Sequence, residues 1–442
     1  MVMMTKRSSI KKISLITSCL ISWCFVAINY ANAVVLSEHP KLEKVAQELI
    51  AEGLYTRAEL ERVFAQANVQ QSVLNAMQNP AEYKFTWGKY RKLFIQDDRI
   101  KQAVEFWHEY ESVLSRAERE YGVPASIIVA IIGVESKFGK YKGKHKVLDS
   151  LVSLVVGFPR RSDFFAGELK HFLILTKENQ MDSFNVMGSY AGAVGYPQFI
   201  SSSYRAYAVD FSGDGKTDLI NQPVDAIGSV ANYFVENGWL TGQPVTSLPH
   251  ENVPQAVIDK ASNKRKVQYS AADLRTLGAP VSSSIPLTEK LGVLEMNINE
   301  VVPDDISDST YIVRAGDTAC RVAEKHKMPC RQLIELNKLD EKATIFRGQK
   351  LTVQPQVVAT STANNDAGKW QVSGNSAESV ITENSTEEFR YFFTHENFYV
   401  ITRYNQSVLY AMAVHDLSTA IAQEKQRQTV SSIPINTNNL TN

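Results

Sequence analysis

The chain has 442 residues, and 47 Lys and Arg balance 47 Asp and Glu, so its formal net charge is zero. No global field is available to hold a polyanion, which excludes nucleic acid as a bulk-charge partner and leaves any recognition to local features. Residues 1–33 read as a signal peptide. Lys6, Arg7, Lys11 and Lys12 precede a mostly apolar stretch from Ile13 to Ala27, and Ala31-Asn32-Ala33 has the small-x-small form of a cleavage site. The apolar run is too short and interrupted to span a bilayer. Ile16-Thr17-Ser18-Cys19 also resembles a lipobox, which would leave Cys19 lipidated. Export to the periplasm is therefore expected, with either a soluble mature chain or an outer-membrane lipid anchor. In the soluble form Cys19 and Cys24 leave with the signal, and Cys320 and Cys330 read as one disulfide in an oxidising compartment. A zinc site that used them with His326 would lack a fourth ligand.

Residues 38–122 carry apolar residues at helical spacing, as in the stripe Phe106, Tyr110, Val113, Leu114 and Ala117. Helical character continues through 124–139, 163–177, 202–209 and 223–237, and strand-like segments are short, so the main domain is expected to be mostly α. Residues 311–353 alternate strand-like and helix-like pieces. Residues 356–387 are rich in Ser, Thr, Asn and Ala, bury too little to order themselves, and read as a linker. Apolar and aromatic residues return at 389–422, which suits either a third domain or a continuation of the first. The segment 426–442 is polar and reads as a disordered tail.

The segment from Pro124, PASIIVAIIGVESKFG, places a carboxylate, Glu135, on the last turn of a helix that is apolar almost all round. Burial and the negative end of the helix dipole both act to raise the pKa of such a group, as a general acid requires. The plainer reading pairs it with Lys137 or an arginine. A second segment, GSYAGAVGYPQFISSSY at 188–204, combines small residues that allow close backbone approach with hydroxyl and amide groups suited to sugar hydroxyls.

Glu135-Ser136-Lys137-Phe138-Gly139 resembles the E-S-x-F-G motif of goose-type-lysozyme-like lytic enzymes. Phe158-Pro159-Arg160-Arg161, GSYAGAVGYPQF, Ala208-Val209-Asp210-Phe211, VDAIGSVANYF at 224–234 and the tail motif Asn397 to Asn405 are similar to the membrane-bound lytic murein transglycosylase B family. The resemblance runs over about residues 38–299 and resumes at Glu388 to about 425. It implies one lysozyme-like catalytic domain in two parts, 34–299 and 388–425, interrupted by an insertion. It further implies that Glu135 is the single acid/base. Glu135 would protonate the glycosidic oxygen between N-acetylmuramic acid and N-acetylglucosamine, then accept the muramoyl 6-hydroxyl proton as a 1,6-anhydro ring closes, with no second carboxylate. Ser189, Gln198, Tyr233, Tyr404, Asn405 and Tyr410 fall at positions that the family uses to line its glycan groove, and Arg160 and Arg161 at positions that meet acidic peptide stems. Tyr233 and Tyr410 also read as plain core aromatics.

Residues 210–221 have the spacing of an EF-hand loop, with Asp210, Ser212, Asp214, the carbonyl of Lys216, and Asp218 as ligands and Gly215 at the sharp turn. Asn221 stands where a bidentate acid is expected, and a calcium ion here would be structural. The order of motifs over 305–355, from Tyr311-Ile312-Val313 to Leu351, resembles a LysM module, a small βααβ unit that binds N-acetylglucosamine portions of peptidoglycan. Its first loop, Arg314 to Thr318, is where ligands of that family dock. No cofactor is expected for the chemistry, and the chain is expected to act as a monomer on glycan strands. A muramidase that hydrolyses the same bond would need a second carboxylate or a positioned water opposite Glu135, with Asp149 and Asp163 as candidates by sequence proximity, and a non-catalytic wall-binding scaffold would rest on the LysM module alone.

Overall fold

The computed structural model describes residues 34–78, 85–299, 310–353 and 388–431, with short breaks at 248–249, 251, 263–264, 314–316, 327, 341 and 347–348. The signal segment 1–33, the linker 356–387 and residues 432–442 lie outside the described residues, as do Arg314, Ala315 and Gly316. The described chain forms two compact units, one from residues up to 78 with 135–233, the other from 85–134 with residues from 234 onward. The stretch 34–299 thus contributes to both, and the division falls inside two helices, Ala125–Ser136 and Pro223–Glu236.

Helices dominate both units, as the periodicity predicts. Thr56 and Glu59 close a reciprocal capping box at the start of Arg57–Ala65. Pro40 opens Pro40–Ala51, where its missing N–H costs nothing. The expected stripe from Phe106 to Ala117 is not one helix. Asp97–Glu109 and Glu111–Tyr121 are separated at Tyr110, which leaves the helical region at φ −111° and ψ 27°, and Phe106, Leu114 and Ala117 remain buried. In Ala125–Ser136 the residues from Ile127 to Ile132 are all buried. Each large aliphatic there contributes about 1.5–3 kcal/mol, so this helix is fixed by its surroundings on every side.

In the second unit Lys290–Asn297 is the central strand of a three-stranded antiparallel sheet, between Tyr269–Ser270 and Phe389–Thr394. Asn297 lies opposite Phe389, and the Ile298 N–H donates to the Glu388 carbonyl, so the chain leaves the sheet and re-enters it at one place. Gly292 faces Thr394 across the ladder, where a Cβ would stand 2.3 Å from the threonine hydroxyl. After the sheet the chain forms Glu396–Tyr404 and then Val408–Ser431. The last helix corrects the expectation of disorder from 426, since it continues through Ser431. Lys425 holds this part of the helix by an ion pair to Glu111 at 2.9 Å, a contact from a distant element that composition does not reveal.

Residues 310–353 have their own core. Thr310–Ile312 pairs with Lys350–Thr352, and the helices Ala319–Lys325 and Cys330–Leu336 lie between them in the chain. Tyr311, Val313, Val322, Leu333, Leu351 and Val353 are buried together. Asn337 fastens the second helix to the strand, donating to the Leu333 and Thr352 carbonyls and accepting from the Thr352 N–H at 2.6 Å. Cys320 and Cys330 are disulfide-bonded, with Cα atoms 4.5 Å apart.

Candidate active site

Glu135 is half-buried on the last turn of Ala125–Ser136. The helix stops at Ser136, short of the expected Gly139, because Lys137, Phe138 and Gly139 all take the left-handed conformation at φ 50°, 60° and 83°. Two non-glycine residues in that region cost on the order of 1–3 kcal/mol each, so surrounding contacts have to hold them. Ser136, itself buried, accepts the Gly139 N–H at 3.0 Å on its hydroxyl and the Tyr141 N–H at 2.9 Å on its carbonyl. At Gly139 a Cβ would lie 2.2 Å from the Tyr196 ring, so the turn is seated against that ring and no side chain fits. Two residues before Glu135, the Gly133 carbonyl accepts from Arg99 at 2.9 Å, which satisfies one of the helix's terminal acceptors.

The small-residue segment is a folded loop in the same unit as Glu135. The Ser189 hydroxyl accepts from the Ala191 and Ala193 N–H groups at 3.2 and 3.0 Å. Gln198, at φ 48°, donates its amide to the carbonyls of Gly195 and Lys142 at 2.9 and 3.2 Å. Gly195 is required, since a Cβ there would stand 2.1 Å from the Leu219 carbonyl oxygen. The Tyr196 N–H donates to that same carbonyl, and Lys142 donates to the next one, Ile220, while its ammonium sits 4.9 Å from the Tyr196 ring centre. A continuous set of contacts therefore runs from the turn after Glu135, through Tyr196 and Lys142, to the end of the 210–221 loop. Tyr196 and Lys142 were not singled out by the sequence reading. Gly139 and Gly195 were the available signal, because a glycine beside an aromatic residue marks a backbone packed tightly on something.

Tyr233 is 7% exposed and packs against Phe199 and Tyr207, with ring centres 5.5 and 4.9 Å away. In the other unit Tyr410 is 2% exposed and stacked on Tyr404, which in turn stacks on Phe234, and Asn405 is the half-buried cap between the last two helices. Arg160 and Arg161 are both exposed on the short helix Pro159–Arg161, and Arg161 lies over Phe164 at 4.2 Å. Asp149 and Asp163 are differently placed. Asp149 is 4% exposed and accepts from the Asn68 N–H and the Gln70 amide, both at 2.9 Å. Asp163 is exposed and paired with Lys41 at 2.7 Å.

In the 210–221 loop Asp210 accepts from the N–H groups of Gly213, Asp214 and Gly215 and from the Ser212 hydroxyl. Partial desolvation pushes its carboxyl up, but the combined hydrogen bonds outweigh this and hold it below the usual carboxylate range. Gly215 makes the turn at φ 84°. Asp214 accepts from the Lys216 N–H, and Asp218 from those of Ile220 and Asn221. The buried Asp225 ties the Ser212 and Asp218 N–H groups together at 2.8 and 2.9 Å. The oxygen donors are of the type calcium takes. Among the described residues, however, no three acidic, His or Cys side chains converge as a metal cluster, because these acids point at the loop's own backbone.

Residues 37–315 and 323–419 match the family described as Transglycosylase SLT domain. Over 271 residues the chain is 38% identical to membrane-bound lytic murein transglycosylase B of Escherichia coli strain K12, which covers 59% of this chain and 73% of that protein. Among solved structures, the catenated lytic transglycosylase SltB1 from Pseudomonas aeruginosa matches with a TM-score of 0.64 at 32% identity, over 87% of this chain and 98% of that one. The Escherichia coli lytic transglycosylase SLT35, in complexes with bulgecin A and with calcium, gives TM-scores of 0.63 and 0.62 at 30% identity, over 90% of this chain and 98% of that one. These likenesses bear out the expected lysozyme-like, mainly helical fold. The chain belongs to the transglycosylase SLT domain family and is a lytic transglycosylase of murein, the peptidoglycan of the cell wall.

Proposed function

We propose that Glu135 is the sole acid/base of the reaction and that the product carries a 1,6-anhydromuramoyl end. Glu135 donates its proton to the leaving N-acetylglucosamine oxygen as the C1–O bond of the muramoyl residue breaks. The resulting carboxylate takes the proton of the muramoyl 6-hydroxyl while O6 bonds to C1, so no water is consumed and the glutamate regains its starting form. One observation carries this reading: Glu135 directly precedes a strained turn, Lys137 to Gly139, that is packed tightly on Tyr196 of the small-residue loop. A hydrolytic route needs a second carboxylate or a positioned water opposite the first, and neither Asp149 nor Asp163 is disposed to supply the carboxylate. Ser189, Gln198 and Tyr233 are proposed glycan contacts, with Tyr404, Asn405 and Tyr410 assigned to the same task on the family resemblance, and Arg160 and Arg161 to the peptide stems. Ser189 and Gln198 lie on the loop that packs on the Glu135 turn, although both also spend polar atoms on holding that loop, and the Tyr233 ring packs on Phe199 next to Gln198. The decisive experiment is mass spectrometry of fragments released from purified sacculi by wild type and Glu135→Gln. Anhydro ends from wild type and none from the variant are expected; reducing muramic ends would make the enzyme a muramidase, and bound but uncut sacculi a scaffold.

The strand–helix–helix–strand unit at 310–353 is proposed to be a LysM module that holds the enzyme on the wall and raises the local concentration of glycan at the site. The 210–221 loop is proposed to take one calcium ion through Asp210, Ser212, Asp214, the Lys216 carbonyl and Asp218, with a structural role. Added calcium should raise the melting temperature, and Asp214→Asn should abolish the rise; an equal rise in both would remove the ion from this loop. Exported action in the periplasm as a monomer, soluble or lipid-anchored through Cys19, completes the proposal. No described helix is long and apolar enough to cross a membrane.

A further inference from the structure

The segment directly after the Glu135 turn is the most one-sidedly charged stretch of its unit. Between Ser136 and Leu148 stand Lys137, Lys140, Lys142, Lys144 and Lys146, with no Asp or Glu. The next acid, Asp149, is buried and turned onto Asn68 and Gln70, so it does not neutralise them. Two lysines elsewhere in this unit are held by acids: Lys41 sits 2.7 Å from Asp163, and Lys170 sits 2.8 and 2.7 Å from Glu48 and Glu52. Lys142 is an anchor, spent on the Ile220 carbonyl and the Tyr196 ring. Lys144 and Lys146 are exposed and make no ion pair among the described residues.

The loop is held in place rather than trailing in solvent. His145 and Lys146 pair with Gly188 and Met187, Gly143 at φ 102° lies so close that a Cβ would be 1.9 Å from the Gly188 carbonyl carbon, and the Lys142 carbonyl accepts from Gln198. Its neighbours are thus Glu135 at one end and the backbone next to Ser189 at the other. Tyr141, 69% exposed, stands between the lysines.

We propose that Lys144 and Lys146, with the field of Lys137 and Lys140, bind the carboxylates of the peptide stem on the muramoyl residue being cut. This rests on the proposed catalytic role of Glu135 and extends it. Each muramoyl residue carries an anionic stem, and the loop that leaves the catalytic turn presents positive charge where that stem would need a partner. The charge pair lies at the surface, so it acts mainly on capture and is screened beyond a Debye length of about 8 Å at physiological salt.

The test measures kcat and KM on stem-bearing glycan strands and on the same strands with stem carboxylates capped as methylamides. Wild type, Lys144→Gln/Lys146→Gln and Lys144→Glu/Lys146→Glu are compared, and circular dichroism checks that each variant is folded. The glutamine pair should raise KM about five- to tenfold on free-carboxylate strands, with kcat unchanged and no effect on capped strands. The glutamate pair should lose more, and 0.5 M salt should erase the difference. Equal loss on both substrates, or no loss on either, overturns the proposal, as does a variant that loses only its binding to anionic phospholipid vesicles. Failure of the Glu135 assignment is read separately, because Glu135→Gln would then still release anhydro ends.

Discussion

The turn after Glu135 and the module at 310–353 are both small regions, but they are fixed by opposite means. At the turn the holding contacts are hydrogen bonds and close backbone packing: Ser136 to Gly139, Gly139 to Tyr196, Tyr196 to Leu219, Gln198 to Lys142. The module instead has a shared apolar core, one disulfide and a single asparagine bridging helix to strand. A region held by directional contacts fixes atomic positions and cannot move without losing them. A region held by its own core folds as a unit and can be attached to other segments. The first arrangement suits chemistry, where a displacement of an ångström is costly, and the second suits tethering.

This contrast can be broken or sharpened by experiment. Glu135→Gln should reduce turnover on sacculi by about 10²–10⁴-fold while leaving the melting temperature nearly unchanged, which release assays and calorimetry would check together. Gly139→Ala should come next, with a loss of about 10–100-fold in kcat, since the methyl would drive into the Tyr196 ring and the backbone is left-handed there. Its crystal structure should show the Tyr196 ring displaced; normal activity with an undisturbed ring would mean the turn is not under tight control. Replacing Cys320 and Cys330 by Ser should destabilise the module by about 2–3 kcal/mol, visible as a separate low-temperature transition and weaker retention on sacculi. Cleavage of short soluble glycans should persist, and its loss would join the module to the catalytic machinery.

The smallest effect concerns pH. Asp416 accepts from Arg91 at 2.8 Å and from His415 at 3.2 Å. Burial pushes its carboxyl up, yet the His415 and Arg91 bonds outweigh this and leave it below the usual range. A depressed native pKa stabilises the fold above the ordinary carboxylate value and loses that contribution as pH falls through the native value. Asp416→Asn should therefore cost about 1–2 kcal/mol at neutral pH, and the melting curves of variant and wild type should converge in acid. Parallel curves at every pH would place the ion pair outside the stability of this unit.

The helices were legible because apolar residues at a 3.6 spacing require a buried face whatever lies opposite. The Tyr110 break was not, since the apolar stripe continues through the residue that leaves the helical conformation. Glu135 stood out as one carboxylate in an apolar helix, and the glycines of 188–195 marked close approach. What each glycine approaches was hidden: Tyr196 for Gly139, Leu219 for Gly195 and Gly188 for Gly143 come from other segments. The aromatic rings show the same limit, because Tyr233 and Tyr410 turn out largely buried against other rings.

By itself the sequence determined the helical class, the place of Glu135 on an apolar helix, the spacing of the 210–221 loop and the pairing of the two cysteines, all properties set within a few residues of one another. Only the tertiary structure decided that the helix ends at Ser136 in a left-handed turn, that Asp149 and Asp163 are committed elsewhere, and that the lysine loop lies against Gly188 beside Ser189. Those outcomes depend on contacts between segments far apart in the chain, whose energies are not written in local pattern.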